Sequence, residues 1–152
     1  TPRTSSAASD VYKRQIQPSI LVLEDQRLQI LCRSRDNAVM QAFSEDQGST
    51  WGPVTPTELP NPNSGTDALT LSNGQHLLVY NPTKRGKNGR AKLAVGISQD
   101  GVDWKDVVML EDQKNGEFSY PAVIESSDGK IHISYTYNRK NIKHVVLEID
   151  GK

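Results

Sequence analysis

Ser44-Glu-Asp46-Gln-Gly48-Ser-Thr50-Trp51 is the stretch that decides how this chain folds. It fits the pattern S-x-D-x-G-x-T-W at every defined position. Ser98-Gln-Asp100-Gly101-Val-Asp-Trp104 repeats it in a version one residue shorter, 54 residues further on. Each copy reads as a self-sufficient turn. The aspartate can accept hydrogen bonds from backbone NH groups of its own loop, the glycine permits a positive φ, and the tryptophan packs back against the sheet. Ser44, Asp46, Gly48, Trp51, Ser98, Asp100, Gly101 and Trp104 are therefore assigned to structure. A calcium loop is excluded, because the spaced ligands of such a loop are lacking.

A second series lies on either side of these turns. Pro18-Ser-Ile-Leu-Val-Leu-Glu-Asp-Gln-Arg-Leu-Gln-Ile-Leu, Thr66-Asp-Ala-Leu-Thr-Leu-Ser-Asn-Gly-Gln-His-Leu-Leu-Val-Tyr and Pro121-Ala-Val-Ile-Glu-Ser-Ser-Asp-Gly-Lys-Ile-His-Ile-Ser-Tyr line up at intervals of 48 and 55 residues. Each is an apolar strand, a tight turn holding Gly or Asp, and an alternating strand. Helical periodicity is nowhere sustained, so the chain reads as all-β. A period near 50 residues with four short strands per unit is the signature of propeller blades. About three blades are expected, over residues 16–60, 61–115 and 116–152, which is too few to close a circle.

Composition narrows the function. Of 152 residues, 18 are Lys or Arg and 18 are Asp or Glu, so formal net charge is zero, and 35% are apolar. Neutral charge without a basic run argues against a nucleic-acid or membrane-surface partner. Apolar runs of at most four residues give no membrane span. The single cysteine, Cys32, rules out an internal disulfide framework and a cysteine-based zinc site. His76, His132 and His144 fall in strands without metal-ligand spacing, so no metal and no cofactor is expected.

Residues 1–15 stand apart as a polar tail without periodicity. Ser5 to Gln15, SSAASDVYKRQ, resembles a translated sequencing-library adapter. The tail is expected to be non-native and disordered, and the rest to be a piece of a longer propeller.

The repeated turn resembles the Asp box of sialidases (neuraminidases) and their BNR-repeat relatives, which are six-bladed propellers. Leu59-Pro-Asn-Pro-Asn-Ser-Gly-Thr-Asp67, Phe118-Ser-Tyr-Pro-Ala122 and Tyr137-Asn-Arg-Lys-Asn-Ile-Lys-His-Val-Val146 look like the branch known as predicted neuraminidases. The resemblance implies the C-terminal half of a glycoside hydrolase propeller acting on a carboxylate-bearing sugar such as sialic acid. It implies a glycan or sialoside partner, leaves oligomeric state open, and suggests export of the full-length parent to the periplasm or beyond. By that resemblance Arg33 and Arg90 match arginines that hold the substrate carboxylate, with Arg35 competing with Arg33, and Tyr120 matches the catalytic tyrosine. Gln17 falls where the family has its catalytic glutamate.

Blade topology offers a check that does not depend on the family. In an antiparallel meander the start of strand 1, the end of strand 2 and the start of strand 3 share one rim. Gln17 and Tyr120 stand at strand-1 starts, Arg33 at a strand-2 end and Arg90 at a strand-3 start, so all four are expected on one rim and the S-x-D turns on the other. Asn61, Asn63 and Asp67 precede a first strand on the same rim, where they can meet sugar hydroxyls or cap turns.

A guanidinium fork suits a carboxylate, and a carboxylate nucleophile would be repelled by an acidic sugar, which rationalises a neutral tyrosine. A tyrosine with pKa of about 10 needs a base, and Gln17 is not one. Asp67 and Glu117 are the nearby carboxylates. The departure at Gln17 leaves open two other readings: a propeller glycosidase for another acidic or rhamnose-containing glycan, and a non-catalytic glycan-binding propeller.

Overall fold

The computed structural model describes residues 15–149. Residues 1–14, nearly all of the expected tail, lie outside the described residues. The tail's last member, Gln15, belongs instead to the first strand, where it pairs with Ser34.

Eleven strands form three antiparallel meanders among the described residues, with no helix. The first sheet holds β1 (Gln15–Val22), β2 (Leu28–Ser34), β3 (Ala38–Ser44) and β4 (Thr55–Pro60). The second holds β5 (Asp67–Thr70), β6 (His76–Tyr80), β7 (Lys92–Ser98) and β8 (Trp104–Asp112). The third holds β9 (Phe118–Glu125), β10 (Ile131–Tyr137) and β11 (Asn141–Leu147), one strand short of the four expected per unit.

The sheets stack face to face. Leu21, Leu31 and Val39 of the first pack against Ala68, Leu78 and Tyr80 of the second. The opposite face of the second, with Leu77, Val79 and Leu93, packs against Phe118, Ile131 and Tyr135 of the third. The middle sheet is thus covered on both sides, which is why β6 reads His-Leu-Leu-Val-Tyr with no polar alternation and is buried at every residue. Burying a leucine such as Leu77 or Leu78 contributes roughly 2 kcal/mol.

First strands lie side by side at the inner edge. Ser19 Oγ donates to Asp67 Oδ1 at 2.9 Å, and the Val123 amide donates to Asp67 Oδ2 at 2.9 Å, so one carboxylate ties β1, β5 and β9 together. The turn after each first strand is built alike. Leu23, Leu71 and Ser126 each donate to the carbonyl four residues on and accept from the amide three residues on. That third residue has positive φ in all three: Gln26 at 67°, Gly74 at 86° and Gly129 at 80°. Three stacked, equivalent sheets with first strands innermost make an incomplete β-propeller.

Candidate functional site

Two bulges give the inner edge its character. Gln17 is the extra residue between Ile16 and Pro18 in the β1–β2 ladder, with φ of 56°. Tyr120 lies in the matching irregularity of β9, before Pro121, with φ of 53°. A left-handed backbone at a residue other than glycine costs roughly 1–3 kcal/mol and persists only where surroundings impose it. Bulges of this kind re-aim side chains. At the same point of the middle sheet stands Gly65. A Cβ built there would lie 3.1 Å from Gln17 Oε1 and 3.5 Å from Tyr120 Cδ1, so the two side chains converge over the space that Gly65 leaves open.

Two guanidinium groups reach the same place. Arg33 is the penultimate residue of β2, and its Nε and Nη1 are buried without any protein acceptor. Arg90 lies in the loop two residues before β7, so the strand starts later than expected. Its carbonyl accepts from the Phe118 amide at 2.8 Å, and its guanidinium carbon sits 5.4 Å from the centroid of the Tyr120 ring. Hydrogen bonding from Arg33, followed by the charge of Arg90, draws the Tyr120 phenol below its ordinary ionisation range. The tyrosine is 51% exposed, so a solute can reach it.

Arg90 is aimed by Glu117. Arg90 Nη1 donates to Glu117 Oε1 at 3.1 Å, Ser119 Oγ donates to the same oxygen at 3.0 Å, and Arg139 Nε donates to Oε2 at 2.6 Å. Burial pushes the Glu117 carboxyl up, but the bonds from Arg139, Arg90 and Ser119 outweigh it and hold the group below the usual carboxylate range. Neither carboxylate considered as a helper for the tyrosine is free. Glu117 is engaged with two arginines, and Asp67 with Ser19, Val123 and the Ala68 amide.

The remaining residues are placed as follows. Arg35 is exposed in the β2–β3 turn, where its carbonyl accepts from Arg85 Nη1 at 3.4 Å. Asn61 is fully buried and caps its own turn, donating to the Ser64 carbonyl at 2.9 Å and accepting from the Ser64 amide at 3.1 Å. Asn63 offers its carbonyl to Arg90 Nη2 at 3.5 Å. His76 is buried against Thr70 Oγ1, while His132 and His144 face each other at 3.1 Å. Among the described residues no group of three or more His, Cys, Asp or Glu is arranged to hold a metal ion.

The S-x-D turns occupy the opposite rim, after β3 and β7. Asp46 Oδ1 accepts from the Thr50 amide at 2.7 Å, and Oδ2 from the Thr50 hydroxyl at 2.7 Å. Asp100 Oδ1 accepts from the amides of Val102 and Asp103, each at 2.9 Å. The shorter turn does more than close itself. Gln29, fully buried in β2, donates to the Gly101 carbonyl at 2.7 Å and so clips the second sheet to the first.

Glu117 as the holder of Arg90, Arg139 as its second partner, and Gly65 as the opening were not foreseen. Arg139 sits in the three-residue β10–β11 loop, Asn138-Arg139-Lys140, where Asn138 and Arg139 have φ of 52° and 53°. The asparagine is the only local signal for that turn.

The BNR repeat-like domain profile matches residues 3–133. The chain belongs to that family. None of the curated proteins matches the sequence. Among solved structures, the intramolecular trans-sialidase from Ruminococcus gnavus is similar with a TM-score of 0.71 and 22% identity, over 88% of this chain and 32% of that one. The NanB sialidase from Streptococcus pneumoniae is similar with a TM-score of 0.68 and 16% identity, over 88% of this chain and 23% of that one. The α-L-arabinanase of Penicillium chrysogenum is similar with a TM-score of 0.66 and 17% identity, over 89% of this chain and 46% of that one. This BNR repeat-like chain thus shares the fold of sialidase-type propellers and spans less than half the length of each of these structures.

Proposed function

We propose that this BNR repeat-like chain is part of a propeller glycoside hydrolase, that the rim carrying Tyr120 receives a carboxylate-bearing sugar such as sialic acid, and that Arg33 and Arg90 hold the carboxylate. The observation that carries the reading is the convergence of Arg33, Arg90 and Tyr120 beside the opening at Gly65, with two Arg33 donors buried and unmatched. Buried donors without acceptors are rare in folded proteins, and a ligand carboxylate would satisfy them.

In the parent enzyme Tyr120 would attack the anomeric carbon as a retaining nucleophile, its neutral phenol escaping the repulsion that a carboxylate would suffer. The bond to the aglycone oxygen breaks as the tyrosyl bond forms, the phenol proton passes to solvent water and the departing oxygen takes a proton from water. Gln17 offers no base, so any ease of deprotonation comes from the two guanidinium groups. Gln17 equally favours a second reading, in which the rim binds acidic glycans without turning them over. The 152-residue chain itself is expected to be inactive.

Titration of the isotopically labelled chain with N-acetylneuraminic acid and with its methyl ester tests the reading. The acid should bind and the ester should bind at least about tenfold more weakly, since charge-assisted bonds are worth about 1.5–3 kcal/mol. Arg33→Ala and Arg90→Ala should each erase the difference. Equal binding of acid and ester would overturn the carboxylate assignment, and hydrolysis of a fluorogenic sialoside by this chain would overturn its inactivity.

A further inference from the structure

The neutral charge of the chain hides a strong asymmetry. The loops on the Tyr120 rim (35–37, 61–66, 81–91, 113–117 and 138–140) hold eight Lys or Arg and two acids. The loops on the other rim (23–27, 45–54, 71–75, 99–103 and 126–130) hold seven acids and two bases. Such a separation concentrates anions at one end of the molecule.

The positive charge has a shaped receiver. A cleft of about 430 Å3 opens beside Arg90, lined by Pro62, Lys87, Gly89, Arg90, Glu117 and Arg139 but not by Tyr120. Three cations around the one carboxylate of Glu117 leave a surplus of two positive charges. The wall is fixed. Thr83 Oγ1 donates to the Gly89 carbonyl, the Ala91 amide donates to the Asn88 carbonyl at 3.1 Å, and a Cβ on Gly89 would stand 2.8 Å from Pro62 Cβ. Arg139 is highly exposed apart from its bond to Glu117, which leaves its other guanidinium nitrogens for a ligand.

We infer that this cleft is a second anion subsite, and that the ligand of the rim is a glycan carrying acidic groups on adjacent sugar units. One acid would meet Arg33 and Arg90 at Tyr120, and the next would meet Lys87 and Arg139, with Arg90 between them. The inference rests on the proposed acid-sugar reading and narrows its substrate class to a polyanionic oligosaccharide.

Calorimetric titration of the intact chain with monomers and linked dimers of two acidic sugars, N-acetylneuraminic and galacturonic acid, tests it, with lactose as neutral control. For at least one of the sugars the dimer should bind about tenfold tighter than its monomer at low salt, and the advantage should shrink as salt rises. Lys87→Ala, which is far from Glu117 in sequence and exposed, and Lys87→Ala combined with Arg139→Gln should bring the ratio down to about the statistical factor of two. Monomers that bind as tightly as dimers would overturn the second subsite while leaving the first in place. A dimer advantage unchanged in both variants would overturn the assignment to this cleft. Failure of every acidic sugar to bind would overturn the subsite together with the reading beneath it.

Discussion

Replacing Gly101 by alanine should show how the propeller sheets are clipped together. A Cβ at this position would stand 2.1 Å from Gln29 Oε1, 3.2 Å from Gln29 Cδ and 3.1 Å from Leu23 Cδ2, at φ of 76°. The left-handed backbone costs an alanine roughly 1–2 kcal/mol. The collision adds more. Gln29 must swing away, losing its bonds to the Gly101 carbonyl at 2.7 Å and to Gln41 at 2.8 Å, and an unpaired buried amide costs roughly 1–3 kcal/mol. Reduced freedom of the unfolded chain returns about 0.4–1 kcal/mol. The balance is a loss of about 3 kcal/mol, or about 10 °C in melting temperature for a chain of this size. Gly74→Ala provides the control. Its φ is 86° but nothing lies within 4 Å of the added carbon, so it should cost only about 1 kcal/mol. Urea melts followed by circular dichroism would measure both variants, together with Gln29→Ala and the Gly101→Ala/Gln29→Ala double variant. The two Gln29-side effects should be non-additive by more than about 1 kcal/mol. Equal costs for Gly101→Ala and Gly74→Ala, or a strictly additive cycle, would refute the clip.

The other turn of the repeat predicts a gain: Gln26→Gly should stabilise by about 1 kcal/mol in the same melts, because Gln26 holds a φ of 67° where its equivalents are Gly74 and Gly129. Cys32 is buried and its thiol is pushed up to about 11 by burial, so a thiol reagent at pH 8 should label it only at the rate of unfolding; immediate labelling of the native chain would contradict its placement. Hydrogen bonds from Ser126 and Lys130 hold the Asp128 carboxyl at about 2 against an ordinary 3.8, so its contribution is complete above about pH 4 and is lost as pH falls toward about 2. Asp128→Asn should flatten that part of the stability profile. Finally, an acidic sugar bound at Arg33 and Arg90 should raise the pH at which Tyr120 ionises, read as ultraviolet difference absorbance against a Tyr120→Phe background; an unmoved titration would mean that the carboxylate does not reach them.

How much of this was legible in the sequence follows from how local each feature is. The S-x-D turns, the hairpins and the proline-marked first strands are short-range patterns, and they set the sheets and the shared rim without a coordinate. The choice between Arg33 and Arg35 was not local. Both sit at the end of one strand, but the ladder stops at Ser34, and Arg35 turns outward while Arg33 stays beside Tyr120. Glu117 and Arg139 are 22 residues apart and meet only because the β10–β11 hairpin folds back over the start of β9. Asp67 looked like a spare carboxylate because its partners, Ser19 and Val123, belong to other sheets.

The same geometry sharpens what Gln17 means. The Tyr120 phenol owes its acidity to Arg33 and Arg90, the groups proposed to neutralise the ligand's carboxylate. Each unit of positive charge given to the ligand is withdrawn from the phenol. A glutamate beside the tyrosine would escape this conflict, since a base accepts the proton whether or not the arginines are occupied. With Gln17 in that place, the proposed binding of the acid and the proposed activation of the tyrosine would oppose each other, so on this reading affinity for anions would be gained at the expense of the nucleophile.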